Sequence, residues 1–256
     1  MIESFKYLFS SKYLACIAIL VVAYGISINI IEVTWKSQLK MQYPTANEYV
    51  SFMGSFSFYT GLVTSFMMLF VGGNVVRTFG WGVTAAVTPV VLLATGIIFF
   101  SYVIFQENFA GIILALGTSP LMLGVILGTI QNIMSKSCKY SLFDPTKEMA
   151  YIPLDPEMKV KGKAAIDVVG ARLGKSGGSA LQQILIIGLG SIAAMTPYVA
   201  VILVGIISMW LFSVKSLNKQ FTAMTQEKKT EPTTKAAEKE PAVKAAFVEK
   251  EPASTK

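Results

Sequence analysis

The sequence predicts an all-α membrane protein, a bundle of six transmembrane helices. Three observations lead to this fold class: the mean hydropathy is +0.57, 53% of the 256 residues are hydrophobic, and only 14% are charged. A soluble protein of this length needs more charged residues to cover its surface. The lipid bilayer is therefore the expected solvent of most of the chain.

Apolar runs without Asp, Glu, Lys or Arg mark the expected spans, since a helix needs about 20 such residues to cross the hydrocarbon core. These runs cover residues 13–31, 49–76, 78–106, 108–135 and 176–214. The last run is long enough for two spans if the chain turns near Thr196 and Pro197 and if the fifth helix begins around Ala164. The fifth helix then carries three charged residues into the membrane: Asp167, Arg172 and Lys175.

The distribution of basic residues favours an even number of spans, because cytoplasmic loops are enriched in Lys and Arg. With six spans, most basic residues share the side of both termini: Lys6, Lys12, Arg77, Lys136, Lys139, Lys147, Lys159, Lys161, Lys163, Lys215 and Lys219. Lys36 and Lys40 fall on the opposite side. We therefore expect both termini to be cytoplasmic.

Two segments are expected outside the membrane. A cytoplasmic loop at 136–163 contains Asp144 and Pro145, which suit the N-cap and the first position of a short amphipathic helix, and Pro153 and Pro156 are expected to break it. The six-helix domain is assigned to residues 1–214 and the cytoplasmic tail to 215–256. The tail is rich in Lys, Glu, Pro, Ala and Thr, so we expect disorder from about residue 226.

Composition argues against several functional classes. The chain has no histidine, the base that serine and cysteine hydrolases commonly use, and Cys16 and Cys138 lack the spacing of a metal site or a disulfide framework. Residues 170–176 resemble a phosphate-binding loop but have three residues between the glycines instead of four. Residues 1–214 carry a net charge of only +4. We expect no enzymatic activity, no cofactor, no metal and no nucleic-acid partner.

Charged residues inside expected spans are candidates for function, because an ionisable group in the membrane persists mainly where it is paired or lines a cavity. Asn29, Glu32 and Lys36 lie on one helical face at the end of the first span, where they form either an ion pair at the membrane interface or part of a cavity. The fifth span carries a second polar stripe: Arg172, Lys175, Ser179 and Gln182 or Gln183. Its cations are either anchors at the cytoplasmic surface or a site for an anion such as a phosphate chain.

Three stretches of the chain closely resemble the ATP/ADP translocases of chlamydiae, rickettsiae and plastids. They are SLFDPTKEMAYIPLD at 141–155, KVKGKAAIDVV at 159–169 and LGKSGG at 173–178. Residues 43–54 are similar to the same family. The resemblance covers residues 1–220, and the tail is most similar to chlamydial members.

The resemblance implies half of a major-facilitator-like transporter, since family members have about twelve spans in two six-helix halves. This chain matches the C-terminal half, so we expect a truncated or split chain whose partner is the N-terminal half. The implied activity is exchange of external ATP for internal ADP by alternating access, in the inner membrane of a bacterium, with ATP, ADP and membrane lipid as partners.

Among the charged membrane residues that the family requires, Glu32 and Lys175 match. The polar stripe adds Arg172 to Lys175 as a candidate for phosphate binding. Candidates for lining or gating the cavity are Glu32, Asn29, Lys36, Ser179 and Gln182. We expect Glu32 to pair with a cation in the empty cavity and to release it as nucleotide binds. Two alternatives stay open: an importer of other nucleotides or of NAD, and a membrane scaffold that transports nothing and binds anionic lipids.

Overall fold

The structure is a computed structural model that describes residues 11–115 and 117–248; side chains are described for these residues apart from 110, 112, 114 and 227–248. All regular structure in this part of the chain is helical. The helices are α1 (Lys12–Gln42), α2 (Ala46–Phe66), α3 (Gly73–Ile104), α4 (Ala110–Ala115), α5 (Pro120–Cys138), α6 (Asp144–Ala150), α7 (Pro156–Ala165), α8 (Ala171–Leu189) and α9 (Ile192–Val248).

Three π-helical segments join neighbouring helices without a break: Met67–Gly72, Lys139–Phe143 and Ile166–Gly170. The pairs α5–α6 and α7–α8 are therefore single long helices. Among the described residues, three helices are long and apolar enough to cross a membrane: Lys12–Gln42, Ala46–Ile104 and Ile192–Gln226.

The chain reverses direction at Gly80, inside the second of these helices. Gly80 has φ 77° and ψ 176°, a conformation that is open essentially to glycine alone. Before Gly80, the segment runs parallel to α5–α6, because residue numbers increase together in the contacting pairs: Thr64 with Ser137 and Gly72 with Ser141. After Gly80 they run the opposite way: Trp81 with Thr146, Thr88 with Cys138 and Tyr102 with Pro120.

Pairs of contacting residues also give the directions of the other helices. The helix α1 is antiparallel to α5–α6, because Tyr13 contacts Ala150 and Trp35 contacts Val125. The helix α7–α8 is parallel to α1, with Gly162 beside Leu14 and Gly178 beside Asn29. The helix α9 is antiparallel to α3, with Leu203 beside Gly96 and Asn218 beside Gly82. Six helical passes therefore alternate in direction, and α1 lies between α5, α8 and α9.

The turn between the last two passes lies at Gly190 and Ser191, so the expected turn near Thr196 and Pro197 is wrong. Gly190 has φ 83° and ends α8 in the left-handed conformation, which is a common helix stop. Pro197 is the sixth residue of α9, so the helix contains this proline instead of beginning at it. The fifth pass begins at Pro156 rather than around Ala164, because Asp155 is extended and Pro156 takes the first helical position.

The expected loop at 136–163 is mostly helix. Asp144 has φ −62° and ψ −46°, which are helical values, so it is not the N-cap of a separate helix. The chain leaves helix at 151–155, where Pro153 lies, and Pro156 starts the next helix instead of ending one. The charged residues of this segment end the apolar run, whereas the backbone continues as helix from α5 into α6. The placement of 136–163 outside the membrane stays a prediction.

Two other predicted spans have different bounds. The first continues past residue 31 to Gln42, so Glu32 and Lys36 lie inside α1 and not at its end. The fourth begins at Pro120 and not at residue 108: the Ser119 hydroxyl caps it by accepting a hydrogen bond from the backbone N–H of Met122 at 3.0 Å. Apolar composition at 108–119 does not distinguish a span from the short helices that precede it. Lys6, residue 116 and residues 249–256 lie outside the described part of the chain.

The last helix continues to Val248, through the segment where composition predicts disorder. Ala, Glu and Lys have high helix propensity, which gives a local reason for a helical backbone there. The division of the chain at residue 214 stays a prediction.

Candidate functional site

The central helix α1 has one half-exposed stripe, and that stripe carries its charged residues. Ile28, Ile30, Ile31 and Trp35 are buried because α5, α8 and α9 surround the helix. The polar residues Asn29, Glu32 and Lys36 are partly exposed. The charged and amide groups in the middle of α1 therefore lie on one partly exposed face of the helix.

Glycine lets α8 approach this stripe closely. A Cβ atom at Gly174 would lie 2.9 Å from the carbonyl oxygen of Val22 and 3.0 Å from the Cα atom of Gly25. One turn later, a Cβ atom at Gly178 would lie 3.0 Å from the Asn29 side chain. Larger residues at either position would separate the two helices.

A hydrogen-bonded network links the two polar stripes. The Gln182 side-chain amide donates to Asn29 Oδ1 at 2.7 Å, and Asn29 Nδ2 donates to Ser179 Oγ at 3.2 Å. Gln182 is 2% exposed, whereas Gln183 points to the surface. The structure thus brings Asn29, Ser179 and Gln182 together and resolves which glutamine joins the stripe.

Both cations of α8 are exposed near this network. Lys175 precedes Ser179 by four residues, so it lies one turn away on the same side of the helix, and Arg172 is a further turn along. The backbone of Lys175 is level with Gly25, near the middle of α1 and far from the turn at 151–155. Among the described residues, neither Arg172 nor Lys175 forms an ion pair with a carboxylate. Lys175 therefore lies along the middle of α1 and not at the end of the bundle near 151–155.

Glu32 is shared by two lysines. Lys36 Nζ lies 3.2 Å from Glu32 Oε1, and Lys136 Nζ of α5 lies 3.5 Å from the same oxygen. Lys136 Nζ also lies 4.9 Å from the centre of the Phe56 ring on α2. The group carries a net charge of one positive unit, and Lys136 joins the stripe of α1 to α5.

Other charges cluster near the turn at 151–155, where they pair across helices. Lys147 lies 2.7 Å from Asp167, so Asp167 is paired and not a lone charge. Partial burial raises the pKa of Glu148, but the hydrogen bond from Lys163 and the charge of Lys147 outweigh it and lower this pKa. The hydrogen bond to Glu148 raises the pKa of Lys163. This cluster joins α6 to α7. Because Asp167 is paired within it, Asp167 is not available as a partner for Lys175.

The sequence model of the TLC ATP/ADP transporter family matches residues 1–221. The chain belongs to this family. The resemblance seen in residues 141–178 is therefore confirmed. No solved structure matches the chain.

Curated relatives of this TLC family chain come from bacteria and plants. It is 61% identical over 240 residues to ADP,ATP carrier protein 1 of Chlamydia muridarum, covering 93% of this chain and 45% of the relative. It is 56% identical over 229 residues to the chloroplastic ADP,ATP carrier protein 2 of Arabidopsis thaliana, covering 90% and 37%. It is 48% identical over 233 residues to ADP,ATP carrier protein 1 of Rickettsia typhi, covering 88% and 46%. The chain spans less than half the length of these relatives.

One residue of the charged group in this TLC family chain was missed by sequence reasoning. Lys136 directly follows an apolar run and was assigned to a cytoplasmic loop, but α5–α6 is continuous and holds it opposite Glu32. A signal was present in the sequence, because Gln131, Asn132 and Ser135 already make that part of the helix polar. Among the described residues, no group of three or more His, Cys, Asp or Glu side chains is placed to hold a metal ion.

Proposed function

We propose that this chain supplies one half of a membrane carrier that exchanges external ATP for internal ADP. The observation that carries the proposal is the placement of Arg172 and Lys175, two exposed cations halfway along the bundle on the side of α8 that meets the polar stripe of α1. Membership of the TLC family supports nucleotide as the cargo, and the relatives named above are ADP,ATP carriers.

All six helical passes cross the membrane in this proposal. Their alternating directions support it, as does the clustering of basic residues at one end of the bundle, the end that holds Lys12, the reversal at Gly80 and the turn at 151–155. This end is cytoplasmic, and the membrane is the inner membrane of a bacterium. A second six-helix half, supplied by the N-terminal part of the complete carrier, closes the other side of the cavity in a major-facilitator-like arrangement.

The cations work by electrostatics in a site with little water. A phosphate chain carries several negative charges, and a fixed cation attracts it more strongly in a low dielectric than in bulk water. Lys175 binds the chain as a point charge and Arg172 with the planar fork of its guanidinium group. The network of Asn29, Ser179 and Gln182 holds the cationic face of α8 against α1.

Transport follows from alternating access, in which nucleotide binding favours rocking of one half against the other. ATP and ADP fit the same cations because they share the diphosphate group. The concentration gradients of the two nucleotides supply the driving force, so the chain needs neither a cofactor nor ATP hydrolysis.

The direct test of the site is Lys175→Gln in this chain co-expressed with a matching N-terminal half. We expect uptake of labelled ATP into ADP-loaded cells to fall at least tenfold, because one charge-assisted contact to phosphate is lost. Lys159→Gln removes an exposed lysine near the turn at 151–155 and is expected to leave uptake unchanged. Normal exchange by Lys175→Gln would refute the phosphate role. Competition by unlabelled GTP, CTP and NAD measures the nucleotide range.

A further inference from the structure

The group formed by Glu32, Lys36 and Lys136 contains more positive than negative charge. Two of its members, Glu32 and Lys36, belong to the polar stripe of α1. The exposed fractions of the three side chains are 28%, 39% and 27%. Two ammonium groups share one carboxylate oxygen, at 3.2 and 3.5 Å. Charge-assisted N–H···O bonds are usually shorter, about 2.7–2.9 Å. Both lysines are therefore held loosely by a single acceptor.

Lys136 has a support that does not depend on Glu32. Its ammonium group lies 4.9 Å from the centre of the Phe56 ring, and Phe56 is 4% exposed. A buried aromatic face attracts a cation without neutralising its charge. This contact keeps Lys136 in position when the carboxylate moves away.

The two cationic groups flank the same stripe of α1. Lys175 lies on α8 beside Gly25, one turn before Ser179, which contacts Asn29, and Lys136 of α5 lies beside Glu32. Asn29 and Glu32 are three residues apart on one partly exposed face of α1.

We propose that Lys136 and Lys36 form a second phosphate subsite, in which Glu32 is an internal substitute for the ligand. The inference rests on the proposed function and deepens it. In the empty site the Glu32 carboxylate accepts hydrogen bonds from both lysines. A diphosphate or triphosphate group brings more charge and more acceptor oxygens, takes over both ammonium groups and releases Glu32 from the α1–α5 contact.

The test is a binding measurement on the purified carrier, reconstituted from this chain and its N-terminal half, with ADP, inorganic pyrophosphate and adenosine as probes. For Lys136→Gln we expect about tenfold weaker binding of ADP and of pyrophosphate and unchanged binding of adenosine. Lys136→Arg keeps the charge and is expected to stay within about threefold of the unaltered chain. Glu32→Gln removes the internal competitor and is expected to tighten pyrophosphate binding.

Lys139→Gln is the matched control, because Lys139 lies on the same long helix, is 26% exposed and pairs with a carboxylate, Asp144. It is expected to leave ADP affinity unchanged. The subsite is refuted if Lys136→Gln binds ADP normally, if it weakens adenosine as strongly as ADP, or if Glu32→Gln weakens pyrophosphate binding.

Failure of the subsite and failure of the proposed function give different binding results. If the unaltered carrier shows no saturable ADP binding, the proposed function fails together with the subsite. If it binds ADP and Lys175→Gln weakens binding while Lys136→Gln does not, the subsite alone fails. The alternative occupant is a lipid headgroup. In that case the unaltered carrier would bind pyrophosphate in phosphatidylcholine vesicles but lose this binding in phosphatidylglycerol vesicles, and Lys136→Gln would show no such loss. This result would overturn the inference.

Discussion

Single glycines determine how closely α8 approaches the charged stripe of α1. Gly25 and Gly174 allow backbone contact between the helices, and Gly178 leaves room for Asn29. Gly177 lies on the same helix with open space where a Cβ atom would be. The two kinds of glycine are indistinguishable in the sequence, because GKSGG places them side by side and only the packing separates them.

Gly174→Ala tests this contact at the scale of one atom. The added Cβ atom meets backbone atoms that cannot rotate away, so we expect the free energy of unfolding to fall by about 1–3 kcal/mol. Gly177→Ala is expected to be neutral or slightly stabilising, since alanine is the better helix former. Thermal unfolding of the purified chain in detergent measures both. Equal effects of the two substitutions would contradict the packing described here.

The sequence predicted which residue types form the candidate site and which helical faces they share. It did not predict the contacts between them. Helical periodicity placed Asn29 on one face with Glu32, and Ser179 on one face with Gln182 or Gln183, because spacing along one helix fixes a face. It could not show that Gln182 donates to Asn29, since that bond joins residues far apart in the sequence. Lys136 was not predicted as a site residue for a related reason. A charged residue ends an apolar run in the sequence, even where its partner lies inside the bundle.

At the scale of elements, hydropathy located the helical passes better than it located their ends. Apolar runs show which residues are favourable in lipid or in the protein core. A helix, however, ends where the backbone conformation changes. Gly190 ends α8 and Pro156 starts α7 for local reasons that the apolar pattern does not contain. The π-helical segments also keep α5–α6 and α7–α8 continuous across charged sequence.

The reversal of the chain at Gly80 places the strictest requirement on residue type, because its φ and ψ favour glycine. We expect Gly80→Ala to destabilise the chain by about 1–3 kcal/mol, because its φ and ψ are strained for any residue with a Cβ atom. Gly73→Ala is the control on the same helix: nothing lies within 4 Å of its Cβ position, and its φ of −66° is helical. Thermal unfolding compares the two variants. A Gly80→Ala chain as stable as Gly73→Ala would argue against the reversal.

At the scale of the whole molecule, alternation of direction predicts which turns share a side of the membrane. Cys16 and Cys138 are buried and are first replaced by alanine. In this background, Ile152→Cys lies in the turn at 151–155, with residue 152 at 62% exposed, and Ser191→Cys lies in the turn after α8. We expect an impermeant maleimide to label Ser191→Cys in intact cells and Ile152→Cys only after permeabilisation. Labelling of both from one side would rule out six alternating spans.

The central claim is that these helices form half of an exchanger. The most direct measurement is uptake of labelled ATP by cells that express this chain with a matching N-terminal half, with and without ADP loaded inside. We predict saturable uptake that depends on internal ADP and disappears when either half is omitted. Uptake that proceeds equally without internal nucleotide would contradict exchange, and no saturable uptake from correctly assembled halves would contradict nucleotide transport itself.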